Sequence, residues 1–318
     1  MRAVVTGAAG FIGSTLVDRL LAEGHAVTGL DDLSTGSLAN LSEARAGRSR
    51  GFRFEQADVR SPAVIDNIER ARPDIVFHLA AQADVRVSVE RPVFDAEVNI
   101  IGSLNVLEGA RRAGTEKVVF ASSGGTIYGD PSPDDLPLNE ANGQRPLSPY
   151  GVSKKAVGDY LAAYRHLHGL RYTALALANV YGPRQDPYGE AGVVAIFAQR
   201  LLSGESCTIY GDGKQTRDFV YVDDVVDAFA RAAEAGDDLL INIGTGRETA
   251  VNQLYATIAH EAGVDAPPDY APERPGELAR SALDPTRAAI QLDWKAWTTL
   301  EQGTAAVLGH FRRRTPTR

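Results

Sequence analysis

Apolar residues in the first half of the chain follow two alternating patterns. Short apolar runs bounded by turn residues are typical of buried strands, and apolar positions three or four residues apart indicate amphipathic helices. The runs predict strands over 2–6, 26–30, 52–56, 74–79, 117–122 and 172–176. The helical spacing predicts helices over 14–22, 63–71, 94–113 and 150–166. Strands that alternate with helices in this way predict a parallel sheet covered by helices on both faces.

The alternation becomes less regular beyond residue 176. There we predict strands over 207–210, 217–222 and 240–243, and helices over 193–202, 224–235, 251–262 and 300–311. Residues 130–149 are rich in Pro, Asp and Asn, which predicts a long surface loop. The predicted fold class is therefore α/β, a Rossmann-type doubly wound parallel sheet with a smaller mixed α/β lobe. The sheet domain is expected in 1–175, with segments near 216–245 returning to it, and the lobe mainly in 176–318.

The composition narrows the classes of function. Of the 318 residues, 44% are hydrophobic and 23% are charged, as in a globular protein, and the net charge of −8 argues against a nucleic-acid or anionic-membrane surface. Cys207 is the only cysteine, so no internal disulfide and no oxidising compartment are expected. We expect a cytoplasmic protein, because the sequence shows neither a signal-peptide pattern nor a membrane-length apolar run. No Cys/His cluster has metal-ligand spacing, so no metal site is predicted.

A glycine-rich turn joins the first predicted strand to the first helix. Gly7, Gly10 and Gly13 would let the backbone turn tightly and approach a pyrophosphate, which the N-terminus of the following helix favours. Asp31 ends the second strand 18 residues beyond Gly13, close to the roughly 20 expected for an acid that binds the adenosine ribose hydroxyls. A carboxylate there repels a 2′-phosphate, so NAD is favoured over NADP. The alternative is an acid that only stabilises a turn.

Tyr150 and Lys154 are candidates for acid–base chemistry. Pro149 marks the start of the helix that carries them, and residues four apart share one face of a helix. A free tyrosine has a pKa of about 10, and a neighbouring cation lowers that pKa by stabilising the phenolate. Taken alone, the same spacing is more often an ordinary amphipathic helix.

Further motifs accompany these residues. In chain order, the motifs are Thr6–Gly13, His78–Ala81, Ser122-Ser123 before Tyr128-Gly129, Tyr150–Lys154, Ile209–Gly213, Arg217–Asp224, Asn242–Gly246 and Arg274–Glu277. With this set, the whole chain resembles the extended short-chain dehydrogenase/reductase family, and within it the UDP-glucose 4-epimerase group of nucleotide-sugar enzymes. The resemblance implies an NAD-dependent isomerase in which Tyr150 takes the proton of the sugar 4-hydroxyl and the hydride later returns to the other face of C4. It also implies that the smaller lobe binds a UDP-sugar.

The resemblance assigns roles to individual residues. The catalytic candidates are Tyr150, Lys154, Thr126 and Ser123. The candidates for binding NAD are Gly7, Gly10, Phe11, Ile12, Gly13, Asp31, Asp32, Ser34, Thr35, Gly36, Asp58, Val59, Leu79, Ala80, Ala81, Asn99, Ser122, Tyr150 and Lys154. The candidates for binding the UDP-sugar are Asn179, Arg184, Val193, Tyr210, Arg217 and Arg274. Guanidinium groups suit a diphosphate, which is the expected ligand of Arg217 and Arg274.

Gly124 departs from the family pattern. Many epimerases carry Ser or Thr at this place, four residues before the tyrosine matched by Tyr128, where the hydroxyl binds the substrate 4-hydroxyl. In this chain the hydroxyl would come from Ser123 or Thr126, and we slightly favour Thr126. The 4,6-dehydratases need an Asp-Glu pair where Gly125 and Thr126 stand, and UDP-glucuronate decarboxylases commonly have Glu at the latter place. Both activities are therefore disfavoured.

Other activities of the same family remain open. UDP-glucuronate 4-epimerase is the strongest alternative, since Arg184 is expected to face the sugar and could pair with a C6 carboxylate. A UDP-N-acetylhexosamine 4-epimerase is a further alternative, because the position that limits pocket size in some epimerases matches the small Ser281. A non-catalytic NAD sensor is less expected, because Tyr150 and Lys154 are both present. By analogy with related proteins, helices 94–113 and 150–166 would form a homodimer.

Overall fold

The structure is a computed structural model that describes residues 1–46, 51–188, 192–274 and 278–314. The strands are β1 (Arg2–Thr6), β2 (Ala26–Asp31), β3 (Phe52–Gln56), β4 (Ile75–His78), β5 (Lys117–Ser123), β6 (Arg171–Leu177), β7 (Asn179–Tyr181), β8 (Thr208–Tyr210), β9 (Thr216–Arg217), β10 (Phe219–Tyr221), β11 (Leu239–Ile243), β12 (Thr249–Ala250) and β13 (Asp269–Ala271). The helices are α1 (Phe11–Ala22), α2 (Ser42–Arg45), α3 (Ala63–Ala71), α4 (Val85–Glu90), α5 (Pro92–Ala96), α6 (Gly102–Ala113), α7 (Gly124–Ile127), α8 (Pro149–His168), α9 (Val193–Leu202), α10 (Val222–Ala232), α11 (Val251–Ala262), α12 (Thr286–Leu292) and α13 (Leu300–Arg314).

A parallel sheet forms the centre of the protein. Within the described residues it has seven strands in the order β11–β6–β5–β4–β1–β2–β3, and every neighbouring pair is parallel. β11 pairs with β6, so this later segment completes one edge of the sheet. The arrangement confirms the predicted α/β class.

Helices cover both faces of the sheet. Successive side chains of a strand point to opposite sides, so each strand supplies apolar side chains to both faces. On one face, Val5 of β1 belongs to the same buried cluster as Leu16 of α1 and Phe229 of α10. On the other face, Val4 packs with Ile68 of α3, and buried residues of α6 and α8 complete the cluster. The helices therefore lie on both faces, as the alternating sequence pattern predicts.

The smaller lobe is built from short strand pairs and three helices. β7 pairs with β10, β8 with β13, and β9 with β12. α9, α11 and α13 pack against one another, and the rings of Phe197 and Tyr255 meet edge to face with centroids 5.6 Å apart. The buried residues of these helices continue the cluster on the α1 face of the sheet. One apolar core thus joins the lobe to the sheet.

Two predicted elements are divided in the structure. The predicted strand 217–222 is interrupted at Asp218, and its two halves pair with different partners, β12 and β7. The predicted helix 94–113 contains a π-helical turn, Glu97–Ile101, between α5 and α6. The sequence pattern also did not predict α4, α7, α12, β7 and β13, which have at most seven residues each and so show little periodicity. Among the helices of the described ranges, none is long and apolar enough to cross a membrane.

Candidate active site

A cleft of about 720 Å³ lies along the carboxyl edge of the sheet. Parallel strands bring their carboxyl ends to one edge, where ligands of such sheets bind. Residues at or just beyond the ends of β1 to β6 lie on its wall, namely Gly7, Asp31, Asp58, Leu79, Ser122 and Leu177. The lobe adds residues 184–188 and side chains from α9 and α13. The cleft therefore lies between the sheet and the lobe.

Most residues that the sequence predicts for the site lie on the wall of this cleft. They are Gly7, Gly10, Phe11, Ile12, Gly13, Asp31, Asp32, Ser34, Thr35, Asp58, Val59, Leu79, Ala80, Ala81, Ser122, Ser123, Tyr150, Lys154 and Arg184. The predicted residues that do not line it are Gly36, Asn99, Thr126, Asn179, Val193, Tyr210, Arg217 and Arg274. Segments that are distant in sequence are thus brought to one place.

The glycine turn between β1 and α1 exposes backbone rather than side chains. Gly7 has a φ of +68°, which favours glycine, and a Cβ added there would lie 2.8 Å from the Ala80 nitrogen. A Cβ added at Gly13 would overlap the Gly7 carbonyl. No side chain of the described residues caps α1, and the first turn of this helix contains no acid. Its first N–H groups can therefore receive an anion such as a pyrophosphate.

Asp31 lies beside this turn with its carboxylate fixed by the backbone. The carboxylate accepts hydrogen bonds from the N–H groups of Ala9 at 2.9 Å and Leu33 at 2.8 Å, and burial raises its pKa. A Cβ at Gly36 would come within 2.9 Å of Asp31 Oδ1, so this glycine leaves space for the carboxylate rather than lining the cleft. The position of Asp31 on the wall fits the ribose role that the sequence suggests.

Asp58 carries a second carboxylate on the same wall. Arg60 binds it through two nitrogens, with the shortest distance 2.6 Å, and this hydrogen bonding lowers the pKa of Asp58. Asp58 is therefore a charged acceptor beyond the end of β3. Asp32, next to Asp31, is also on the wall and accepts hydrogen bonds from both the N–H and the hydroxyl of Ser34.

Tyr150 and Lys154 lie in the first turns of α8. The helix begins at Pro149, and the hydroxyl oxygen of Ser148 caps it by accepting the Gly151 N–H at 3.2 Å. Lys154 is 3% exposed, and its ammonium donates to the Ala121 carbonyl at 2.8 Å. The ammonium nitrogen is 5.6 Å from the centre of the Tyr150 ring, and a cation that neighbours a tyrosine favours its phenolate form. The geometry suits a tyrosine base assisted by a fixed cation.

A buried chain of hydrogen bonds supports the wall at residues 79–81. Thr6 Oγ1 accepts the N–H groups that begin this segment and lies 2.7 Å from His78 Nδ1. His78 Nε2 lies 2.9 Å from the hydroxyl oxygen of Ser103. Burial, with the charge of Lys154 as a smaller cause, lowers the pKa of His78 to about 3. The imidazole is therefore neutral at physiological pH and supports the wall instead of carrying a proton.

Asn99, a predicted NAD contact, lies in a buried hydrogen-bond network, and its contact with NAD stays a prediction. This residue is 2% exposed, and its amide oxygen accepts the Gln82 N–H at 3.0 Å. Its amide nitrogen donates to the Gln82 carbonyl at 2.8 Å and to Asp95 at 2.9 Å. Asp95 in turn accepts the hydroxyl of Ser153 on α8 at 2.6 Å. Asn99 therefore ties the loop after β4 to the helix of Tyr150 instead of lining the cleft.

Ser123 lies on the wall of the cleft that Tyr150 also lines, whereas Thr126 does not. Thr126 is in α7, and its hydroxyl donates to the Ser123 carbonyl at a long 3.5 Å. Gly124 between them is buried, and a side chain there would meet Leu283. The position of Ser123 on the cleft wall favours its hydroxyl over that of Thr126, which points to the Ser123 carbonyl.

Arg184 has a partner that the sequence did not suggest. Its guanidinium forms an ion pair with Asp18 of α1 at 2.6 Å, and the residue adopts a φ of +72°. Burial raises the pKa of Asp18, whereas the hydrogen bond from Arg184 lowers it. Arg184 also lowers the pKa of Asp223, which burial and the neighbouring Asp224 raise. Arg184 lines the cleft, and its Nη1 has no hydrogen-bond partner among the described residues, so the expected pairing with a sugar stays a prediction.

The remaining predicted substrate residues lie outside the cleft wall in the lobe. The guanidinium carbon of Arg274 lies 3.7 Å from the centre of the Tyr210 ring. Arg217 donates to the carbonyls of Thr216 and Leu278, both at 2.8 Å. Asn179 begins β7, and its amide oxygen is 4.0 Å from the place of a Cβ on Gly125 in α7. Val193 begins α9.

Several residues of the cleft wall were not predicted from the sequence. Asn40 donates through its amide to the Ala9 carbonyl at 2.9 Å and so braces the glycine turn. Gln185, Asp186 and Tyr188 follow Arg184 on the wall. They lie just beyond Tyr181-Gly182-Pro183, and this motif is the local sequence feature from which they could have been predicted.

Comparisons with known proteins agree with this geometry. Residues 3–244 match the model of the NAD dependent epimerase/dehydratase family. A UDP-glucose 4-epimerase of Mycolicibacterium smegmatis is 50% identical, and the alignment covers 98% of this chain and 99% of the relative. The crystal structure of a Thermotoga maritima UDP-glucose 4-epimerase with UDP-glucose is 46% identical, with a TM-score of 0.94 and 99% of each chain covered. A Thermus thermophilus UDP-glucose 4-epimerase in complex with NAD is 43% identical, with a TM-score of 0.90 and 98% and 99% covered.

Proposed function

Because the chain belongs to the NAD dependent epimerase/dehydratase family, we propose that it is an isomerase that interconverts UDP-glucose and UDP-galactose. The observation that carries this proposal is the convergence of Tyr150 and Lys154 with the glycine turn and Asp31 on one cleft. A dinucleotide bound by the glycine turn would extend along the carboxyl edge of the sheet towards the tyrosine. That arrangement brings a cofactor, a base and a sugar together.

The residues at the glycine turn fit NAD. Side chains at Gly7 and Gly13 would collide with backbone. Because both residues are glycines, the turn stays tight and the N-terminus of α1 stays open to a pyrophosphate. Asp31 offers a carboxylate for two ribose hydroxyls, and its charge disfavours a phosphate at the same place. When bound, NAD supplies the acceptor and donor of the hydride at C4 of the sugar. We assign NAD to the sheet domain and the UDP-sugar mainly to the lobe.

Tyr150 is the proposed base. Its phenolate takes the proton of the 4-hydroxyl as C4 is oxidised, and the resulting phenol returns a proton when the 4-keto sugar is reduced. Lys154 stabilises the phenolate through its charge, and the Ala121 carbonyl fixes the ammonium in place. If the sugar turns about its diphosphate anchor between the two steps, the product is the C4 epimer.

The nucleotide part of the substrate supplies the anchor. Tyr210 and Arg274 are the proposed uracil and diphosphate contacts, together with Arg217 and Asn179. In the structure Arg274 stacks on Tyr210, so this arginine would have to leave the ring for the uracil to stack there. Binding energy from this remote part holds a sugar that must itself turn freely. Ser123 is the proposed partner of the 4-hydroxyl, because it lies on the cleft wall with Tyr150.

A carboxylated sugar is the less favoured substrate. The Arg184 guanidinium is paired with Asp18, and the nearby Asp186 presents a further carboxylate on the cleft wall. A carboxylate at C6 of the sugar would meet these like charges, which is unfavourable. The 4,6-dehydratase activity also stays disfavoured, because Gly125 and Thr126 offer no acid–base pair.

Turnover of a panel of sugars tests the proposal. The purified protein is incubated separately with UDP-glucose, UDP-glucuronate, UDP-N-acetylglucosamine and dTDP-glucose, and products are resolved by anion exchange and proton NMR. We expect UDP-galactose from UDP-glucose, and a kcat/KM for UDP-glucuronate lower by roughly 10-fold or more. UDP-N-acetylglucosamine is also expected to react, because Ser281 is small. Faster turnover of UDP-glucuronate would favour the alternative epimerase, and a 4-keto-6-deoxy product would refute the proposal.

A homodimer through α5, α6 and α8 is the proposed assembly. α5, α8 and the π-helical turn between α5 and α6 expose large apolar side chains, with Val93 71%, Ile101 50%, Val152 50% and Tyr160 41% exposed. Val152 and Tyr160 are eight residues apart within α8, so they belong to one apolar stripe of this helix. A second copy of the chain would cover these side chains in a helical bundle. A cytoplasmic location stays a prediction from the sequence.

Charged substitutions on this face test the assembly. Light scattering is expected to give twice the mass of one chain for the natural protein, and the mass of one chain for the variant Val93→Asp/Ile101→Asp. Ile290→Asp on α12, at an equally exposed apolar residue (73%), is the matched control and should stay dimeric. A monomeric natural protein, or a dimer that survives the double substitution, would contradict the proposed interface.

A further inference from the structure

Gly124 is packed against a side chain from a distant part of the chain. It begins α7, directly after Ser123, and is buried. A Cβ added at Gly124 would lie 3.0 Å from Leu283 Cδ2, closer still to Cδ1, and 3.2 Å from the Ala176 carbonyl. Leu283 itself is fully buried. The methyl groups of Leu283 therefore occupy the space that a side chain at position 124 would need.

Leu283 is held in place by two sets of hydrogen bonds. Its N–H donates to the carboxylate of Asp218 at 3.2 Å. On either side, the Ala282 carbonyl accepts the Leu138 N–H at 2.9 Å, and the Asp284 N–H donates to the Leu138 carbonyl at 2.7 Å. Hydrogen bonds on both flanks leave the side chain little freedom to withdraw from Gly124.

Asp218 joins this segment to the rest of the lobe. Its buried carboxylate also accepts the N–H groups of Thr245 and Gly246 and the hydroxyl of Thr245, at 2.6–3.1 Å. Burial raises the pKa of Asp218, and these hydrogen bonds lower it. One carboxylate therefore binds two separate segments, residues 245–246 and the segment of Leu283.

The same segment is attached at its other end to the proposed diphosphate site. The Ala279 carbonyl accepts the Thr216 N–H at 3.0 Å, and the Leu278 carbonyl accepts from Arg217. We call residues 278–284 the strap. The strap thus runs from Arg217, at the proposed nucleotide end, to Gly124, which directly follows Ser123 of the cleft wall.

We propose that Leu283 is a positioning residue, which sets the place of Ser123 relative to Tyr150 by packing the strap against Gly124. The proposal rests on the epimerase function. Leu283 forms a small buried cluster with Ile127, Tyr128, Leu138 and Ala176, which lies beneath α7. This cluster supports the backbone at Ser123 and Gly124. Without the two methyl groups of Leu283, α7 can shift into the space, and the Ser123 hydroxyl moves with it.

Removal of these methyl groups is expected to act on kcat. In Leu283→Ala, a displacement of α7 by up to an ångström corresponds to a loss of about 10²-fold in kcat. KM for UDP-glucose and the Kd for UDP should change little, because the strap keeps its backbone hydrogen bonds to Thr216 and Leu138. Leu283→Met, which conserves volume, should keep most of the activity. Leu254→Ala on α11 removes a leucine that is equally buried in the lobe core, and it should lower Tm without lowering kcat at 25 °C.

A reciprocal pair of substitutions gives the decisive test. Gly124→Ala alone should lower kcat, because its Cβ collides with Leu283. In Gly124→Ala/Leu283→Ala the new methyl group fills the space that the leucine leaves, so kcat and Tm should both exceed those of the worse single variant. If the double variant is no better than either single one, or if Leu283→Ala keeps the kcat of the natural protein, the proposal is overturned. The epimerase function is judged separately, by turnover of UDP-glucose in the natural protein. If that turnover were absent, both the epimerase function and the proposed role of Leu283 would be refuted.

Discussion

Replacing Tyr150 with phenylalanine is expected to lower kcat for UDP-glucose by about 10²- to 10⁴-fold, the usual contribution of a positioned acid or base. The substitution removes one oxygen and leaves the ring, so the cleft keeps its shape. KM should change much less than kcat, because the proposed nucleotide anchor lies on the lobe. Initial rates of UDP-galactose formation at saturating substrate measure the effect.

Tyr160→Phe provides the matched control for this experiment. It makes the same chemical change on the same helix, at a residue 41% exposed and outside the cleft wall. Its kcat should equal that of the natural protein. If Tyr150→Phe kept more than about a tenth of the natural kcat, a loss smaller than general acid–base catalysis usually supplies, Tyr150 would not be the base.

Replacing Lys154 with methionine is expected to lower kcat at pH 7 by about 10- to 10³-fold, which corresponds to the 1–3 units by which a neighbouring opposite charge typically shifts a pKa. Without the ammonium, the phenol gives up its proton only at higher pH, so less phenolate is present at neutrality. The loss of kcat in Lys154→Met is therefore largest at low pH. It becomes smaller as the pH rises towards about 10, the pKa of a free tyrosine. A pH–rate profile of both proteins measures it.

The neighbouring lysine separates charge loss from a general effect on α8. Lys155 is partly exposed and pairs with Asp159, so Lys155→Met should leave both kcat and the pH profile unchanged. A Lys154→Met variant whose deficit is the same at pH 7 and pH 9.5 would contradict the proposed electrostatic role. Such a result would point to a purely structural part for the hydrogen bond to Ala121.

Long periodic elements could be predicted from the sequence, since their apolar spacing repeats over several turns. The helices Ala63–Ala71, Val193–Leu202 and Val251–Ala262 have the predicted bounds. The parallel sheet then explains why the glycine turn, Asp31 and Tyr150 share a cleft, because strand ends meet at one edge. Short elements such as α7 and β7 carried too little pattern to be predicted.

The parts of the site that the sequence did not predict depend on contacts between distant segments. The ion pair between Arg184 and Asp18 of α1 was not predicted, because no local pattern joins the two residues. The hydrogen bond between Asn99, in the π-helical turn, and Gln82 was not predicted either. The missing hydroxyl at Gly124 was visible in the sequence, whereas the leucine that fills its space was not.

The most direct test of the central claim follows the hydrogen at C4. UDP-glucose deuterated at C4 is incubated with the protein in ordinary water, and the UDP-galactose formed is analysed by NMR and mass spectrometry. The account predicts that the product retains the deuterium at C4, because a hydride that passes to NAD and back does not exchange with water. It also predicts that Tyr150→Phe forms almost no UDP-galactose. UDP-galactose that carries hydrogen from the solvent at C4, or a failure to form UDP-galactose at all, would contradict it.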